Sequence, residues 1–180
     1  MHRHPDIELL SSELLHDGKI FRLLKEAVRL PSGLLQEIDV VAHPGAVAIA
    51  ALDDAGQLLL VRQYRHALGE WITELPAGRL EEGEDPLTAA QRELEEETGH
   101  RAARWTPLRE IYPAPGFCSE RIHLFLAEDL ETVAGGGLAQ DDDEELEVLR
   151  MSPAAVLSSD LRDGKTLAAA ALLTARRSSR

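Results

Sequence analysis

A chain of 180 residues is long enough for one full hydrophobic core with a small appendage, and 44% hydrophobic with 28% charged residues is an ordinary globular composition. The formal net charge of −13 and isoelectric point near 4.9 argue against nucleic-acid phosphate or an anionic membrane as the main partner, so an anionic small substrate would need a local exception. A single cysteine, Cys118, excludes an intramolecular disulfide framework, no apolar run approaches a membrane span, and MHRHPDIELL lacks the apolar core of a signal peptide; together these read as cytoplasmic.

Residues 1–42 carry three short, partly alternating apolar stretches, at 7–15, 19–30 and 33–41, punctuated by Asp17-Gly18 and Pro31-Ser32-Gly33. They predict a small antiparallel sheet, which is too small to stand alone and must pack on the main body or on a second copy of the chain. His43-Pro44-Gly45 marks the boundary to a main domain over residues 43–180. Stretches 46–52 and 57–63 are very apolar and are expected to be central hairpin strands of the main sheet, joined by a turn at 53–56. Arg65 lies just past the second of these, where it either meets a phosphate or ribose or is a surface arginine. Glu74 stands among Trp71, Ile72 and Leu75, unusual company for a carboxylate, and its partner is not legible.

The stretch from Gly78 to His100, GRLEEGEDPLTAAQRELEEETGH, concentrates the most charge in the most regular spacing. Asp85-Pro86 reads as an N-cap followed by proline at the first helical position, and Gly99 as the residue that leaves a helix of about three turns. Leu87, Ala90 and Leu94 form its apolar stripe, Glu93, Glu96 and Glu97 crowd another face through i, i+3 and i+4 spacing, and Glu95 points elsewhere. Like charges at those spacings repel, and the helix dipole disfavours anions in its C-terminal half, so a cation is expected there. Arg92 neutralises only part of the cluster, and a site of hard oxygens alone suits Mg²⁺ or Mn²⁺; a solvated acidic face is the plainer alternative.

Beyond the helix, residues 105–112 read as a strand broken by Pro113-Ala114-Pro115-Gly116-Phe117, and 122–127 as the clearest later strand. From 129 to 143 lies a loop with a Gly135-Gly136-Gly137 tract and an acidic run ending in Glu144 and Glu145, without the glycine and spacing of an EF-hand. Strand character resumes at 146–151. Ser152-Pro153 caps a helix to about residue 158, and the alanine-rich 165–177 forms the last one. Hairpin strands with two helical segments on different sides predict an α/β fold, an α/β/α sandwich around a mixed β-sheet.

Gly78, five residues, Glu84, seven residues, Arg92-Glu93-Leu94, one residue, Glu96-Glu97, one residue, Gly99 resembles the signature of the Nudix hydrolases; it departs only at the last position, usually aliphatic and here His100. The resemblance covers about residues 45–155 and implies hydrolysis of a nucleoside diphosphate linked to another group, with divalent cations held by a loop-helix-loop. It implies Glu93, Glu96, Glu97 and the Ala77 carbonyl as metal ligands, and a bracing salt bridge between Glu84 and Arg92. A pyrophosphate has no good electrophile until its oxygens are neutralised, which is the chemistry such a site supplies.

Gln63-Tyr64-Arg65, then Glu74-Leu75-Pro76-Ala77-Gly78, and the Pro115 loop sixteen residues past Gly99 resemble the ADP-ribose pyrophosphatases of that family. That likeness implies Mg²⁺-dependent cleavage of ADP-ribose to AMP and ribose 5-phosphate, with Arg65 on phosphates or terminal ribose and Pro115, Gly116 and Phe117 walling the ribose. Cys118 stands where those proteins usually carry serine or threonine. A sheet without a core of its own and this likeness both point to a homodimer, in which Phe21 and Arg22 are the candidates to reach the neighbouring active site on its adenine side. The water-activating base is expected in the acidic run: Glu144-Glu145-Leu146-Glu147-Val148 resembles the segment whose first residue is catalytic, with Glu96 or Glu97 as the alternative bases. Another nucleoside diphosphate sugar is the nearest rival substrate. A catalytically silent nucleotide-sensing module is the rival from a different class, and the intact glutamate set argues against it.

Overall fold

The computed structural model describes residues 4–133 and 146–178, with side chains to residue 176. Glu144 and the Gly135–Gly137 tract, named above, lie outside the described residues. The chain divides into two compact units, one of Met1–Gly45 with Tyr112–Arg121, the other of Ala46–Ile111 with Ile122–Arg180.

In the first unit β1 (Glu8–Asp17), β2 (Arg22–Arg29) and β3 (Leu35–Ala42) form an antiparallel sheet in that order, as the turn residues predict. Gly33 takes φ 84°, a left-handed value that its lack of a Cβ makes inexpensive. The sheet has little core: Glu26 and Val28 are buried, while Leu9, Leu10, Leu14 and Leu15 on β1 are all exposed. The proline loop joins this unit through backbone pairing at the end of β3. Val41 N–H donates to the Phe117 carbonyl (2.8 Å) and Ser119 N–H to the Val41 carbonyl (2.9 Å). The Ser119 hydroxyl accepts from His43 N–H at 3.0 Å, so the residue beside Cys118 supplies a hydroxyl contact to this loop.

The second unit holds β4 (Ala46–Ala51), β5 (Leu58–Arg65), β6 (Glu70–Glu74), β7 (Ala77–Arg79), α1 (Pro86–Thr98), β8 (His100–Ile111), β9 (Ile122–Thr132), β10 (Glu147–Met151), α2 (Pro153–Ser158) and α3 (Gly164–Ser178). Strand order is β7-β4-β9-β8 in one sheet and β10-β5-β6 in the other. The first is mixed, because β4 runs parallel to β9 while β7 and β8 pair antiparallel. Every residue of β4 is buried, and its alternation explains the layers. Ala46, Ala48 and Ala50 face a cluster with Val156 of α2 and Ala169, Ala170 and Leu173 of α3. Val47, Ile49 and Ala51 face a cluster with Ala89, Ala90 and Leu94 of α1. Helices on both faces of a mixed sheet make the expected α/β/α sandwich.

Three local expectations are corrected. Stretches 46–52 and 57–63 are joined by the expected turn, with Asp53 N–H on the Gln57 carbonyl at 2.9 Å, yet they are not hairpin partners in one sheet. One bridge, Leu52 to Leu58, links them, after which β7 and β9 take both edges of β4 and β5 pairs with β6 and β10 instead. The strand expected at 105–112 begins at His100, and the one expected at 122–127 runs to Thr132, because the two form one long ladder from His100 opposite Thr132 to Ile111 opposite Ile122. Their extensions are rich in charged residues, with only Ala102 and Leu130 packed against the core, which hides them from hydrophobic pattern. In α1, finally, Leu87 stays exposed and Ala89 joins Ala90 and Leu94 in the core; small residues there let the helix axis approach β4.

Candidate active site

Local sequence fixes α1 at both ends. The Asp85 carboxylate accepts from Leu87 N–H (3.0 Å) and Thr88 N–H (3.2 Å), Pro86 occupies the first turn, and Gly99 at φ 66° closes the helix onto the Glu95 carbonyl. The helix docks against β4 through its alanines, and β7 is the neighbour of β4, so the glutamate face and residues 77–79 are brought together.

Two contacts define that junction. Glu97 is 5% exposed and accepts from Ala77 N–H at 2.9 Å. Glu93, 9% exposed, lies so close to Gly78 that a Cβ on Gly78 would sit inside its carboxylate. Gly78 is therefore required by close approach, not by backbone conformation. Arg92 organises the rest, as the sequence suggests. It grips Glu84 with two prongs, Nε to Oε1 (3.1 Å) and Nη2 to Oε2 (3.0 Å), while Nη1 donates to Glu93 (2.6 Å) and Glu96 (2.9 Å). Glu95 points elsewhere, bonded to Arg101 through Nε (2.6 Å) and Nη2 (2.7 Å).

Among the described residues no three carboxylate, histidine or cysteine side chains stand in an arrangement that would already hold a metal ion. Arg92 Nη1 lies against Glu93 and Glu96 instead. The donor chemistry nevertheless suits a hard divalent cation. Three carboxylates share one helix face, two of them are buried, and the absence of a side chain on Gly78 lets the Glu93 carboxylate lie against the loop.

The paired arginine holds the Glu84 carboxyl below its ordinary value of 4.5, against the opposing effect of burial, and the glutamates in turn raise Arg92. Because the folded value of Glu84 is depressed, the pair stabilises the fold above the ordinary carboxylate value and is lost as pH falls through the lowered one. Glu84→Gln should therefore flatten the decline of melting temperature below about pH 4.5, the ordinary value for this group. Parallel curves for variant and wild type would contradict this role for the pair.

The remaining expected residues fall in two places. Arg65, at the end of β5, donates from Nε to Glu74 at 2.7 Å, which answers the question of that carboxylate's partner. Lys165 of α3 is its second partner, a contact sequence could not reveal because 91 residues separate them. In the first unit, Arg22 pairs in register with Ala42, next to the Val41 that binds Phe117, so Arg22 and the Pro115–Phe117 loop converge on the end of β3. Phe21 (40% exposed), beside the His16 ring, and Phe117 (59%) both reach the surface. On β10, Val148 packs against the α1 cluster, and Glu147 is exposed and paired with Arg62 at 3.5 Å.

A NUDIX domain model matches residues 42–172. ADP-ribose pyrophosphatase of Bacillus subtilis (strain 168) is 41% identical over 87% of this chain and 86% of its own length. ADP-ribose pyrophosphatase of Mycobacterium tuberculosis is 47% identical over 71% of this chain, which spans 62% of that protein. The crystal structure of an ADP compounds hydrolase superposes with a TM-score of 0.83 over 99% of this chain and 98% of the other at 22% identity, a likeness of fold. Family match, relatives and the acidic loop-helix junction agree: the chain belongs to the Nudix hydrolase family.

Proposed function

We propose that this protein is a Mg²⁺-dependent hydrolase of ADP-ribose that releases AMP and ribose 5-phosphate. The observation that carries the reading is the junction of α1 with residues 77–78, where Glu93 fills the space left by Gly78 and Glu97 binds the Ala77 amide. The two pyrophosphatase relatives support ADP-ribose as the substrate.

Glu93, Glu96, Glu97 and the Ala77 carbonyl would hold Mg²⁺, or Mn²⁺ in its place. A divalent cation there supplies neutralisation of the phosphate oxygens and activation of water. Arg92 and Glu84 hold the helix face and the loop in register. Arg65 meets the substrate's phosphates or terminal ribose, while Phe117, with Pro115 and Gly116, walls the ribose. Glu144 takes the proton from the attacking water. Glu144→Gln should then lower kcat by about 10²-fold, the usual contribution of a general base, with a smaller change in KM. Wild-type kinetics in that variant, with loss in Glu96→Gln, would move the base into the helix.

Residues 1–42 are proposed to pack across a second copy, placing Phe21 and Arg22 at the neighbour's adenine side. The exposed leucines of β1 support this, since apolar side chains left in water gain by being covered. Light scattering that returns a monomer at micromolar concentration defeats it. The single cysteine supports a reducing, cytoplasmic setting. No helix among the described residues is long and apolar enough to cross a membrane.

A turnover screen of nucleoside diphosphate derivatives with Mg²⁺ and Mn²⁺, products identified by mass, tests the reading. ADP-ribose should be the best substrate and yield AMP with ribose 5-phosphate. A nucleotide sugar cleaved faster displaces the assignment, and tight binding without turnover of any member makes the protein a sensor.

A further inference from the structure

The first turn of α3 is joined to the strand that leads into the site by contacts the family signature does not include. Glu74 ends β6 at 1% exposure and divides its carboxylate between two cations: Oε1 accepts from Arg65 Nε at 2.7 Å, and Oε2 accepts from Lys165 Nζ. Lys165 is also held by Asp163 at 3.1 Å. That aspartate caps α3 through Thr166 N–H (3.0 Å) and the Thr166 hydroxyl (2.6 Å). The same hydroxyl, in a residue with no exposed surface, accepts from Leu75 N–H at 2.8 Å. Two consecutive residues of the incoming chain, Glu74 and Leu75, are thus fixed by two consecutive residues of a helix some 90 positions later.

We infer that Lys165 is a positioning residue for substrate binding, acting through Glu74 to aim the Arg65 guanidinium; this rests on the proposed role of Arg65 toward ADP-ribose. A glutamate's terminal torsion is broad and roughly two-fold, so a carboxylate with one partner can turn. With Lys165 on Oε2, the carboxylate plane is fixed and Glu74 grips Arg65 at Nε. Without Lys165 the carboxylate is able to rotate onto both Nε and a terminal nitrogen, the bidentate geometry arginine favours, and the guanidinium turns away from the substrate. A buried carboxylate needs its charge answered, which accounts for a cation at this depth, but one arginine in bidentate contact would answer it; the division between two cations is what the aiming role explains.

The test is ADP-ribose affinity measured by calorimetry in EDTA, where the protein binds without cleaving, together with melting temperature. Arg65→Gln should weaken binding about tenfold, the scale of one charge-assisted contact. Lys165→Met should weaken it about fivefold, Lys165→Arg should restore most of that, and the double variant Arg65→Gln/Lys165→Met should bind no worse than Arg65→Gln, since both act through one group. If Lys165→Met fails to fold, Glu74→Gln removes the buried charge along with the aim and should show the same non-additivity with Arg65→Gln. Losses that multiply in the double variant, or a stable Lys165→Met or Glu74→Gln that binds like wild type, overturn the inference alone. If wild-type protein binds no ADP-ribose in EDTA but cleaves it with Mg²⁺, the same comparison is read in KM; protein that neither binds nor cleaves it overturns the functional reading and the inference with it.

Discussion

Glu97→Gln should leave the fold intact and lower turnover by about 10³-fold, the several kcal/mol of charge stabilisation that a metal contributes to such a reaction. The fold survives because glutamine keeps a carbonyl oxygen for the Ala77 amide, the contact that ties the helix to the loop. Metal-free protein should melt at the same temperature or higher, because one of three like charges on this face of α1 is removed and both the i, i+4 repulsion and the unfavourable dipole term diminish. Activity and stability therefore move in opposite directions, the mark of a residue kept for chemistry. A Glu97→Gln protein with near-normal kcat would end the assignment of this face as the metal site.

Gly78→Ala should lower turnover by about 10²- to 10³-fold. The added methyl group falls on the Glu93 carboxylate, which is the far end of a flexible side chain, so the fold can yield by swinging Glu93 aside. The functional cost is larger than the structural one. Glu93 loses its place beside Glu96 and Glu97, and a misplacement on the order of 1 Å in a preorganised site costs about 10²-fold before any metal affinity is lost. Circular dichroism should match wild type. An alanine variant with wild-type activity would show that Glu93 reaches its working position from elsewhere.

What the sequence disclosed follows the range of the forces involved. The ends of α1 were legible because Asp85, Pro86 and Gly99 act within four residues, and so was the grouping of Glu93, Glu96 and Glu97, which helical periodicity alone dictates. Periodicity also set Glu95 apart, though its bidentate partner Arg101 had to be seen. The separation of β4 from β5 was not legible, since the turn that joins them obeys the same local rules whether or not its arms pair afterwards; what decides is which strands claim the edges of β4, and β9 lies some 75 residues on. Leu87 misled because hydrophobicity says which residues profit from burial, whereas the close approach of α1 to the sheet selected the smaller Ala89. Lys165 and Thr166 gave no signal at all: a lysine and a threonine at the start of an alanine-rich helix look like surface residues until the fold brings Glu74 and Leu75 to them.

Mn²⁺ binding, followed by the electron paramagnetic resonance signal of the free ion at matched pH, tests the central claim most directly, since it reads the α1 carboxylates without reference to substrate. Wild-type protein should bind Mn²⁺, and Glu97→Gln and Gly78→Ala should each bind at least about tenfold more weakly, in step with their loss of turnover. Wild-type affinity in both variants would contradict the account, because the cation would then be held by residues other than Glu93, Glu96 and Glu97.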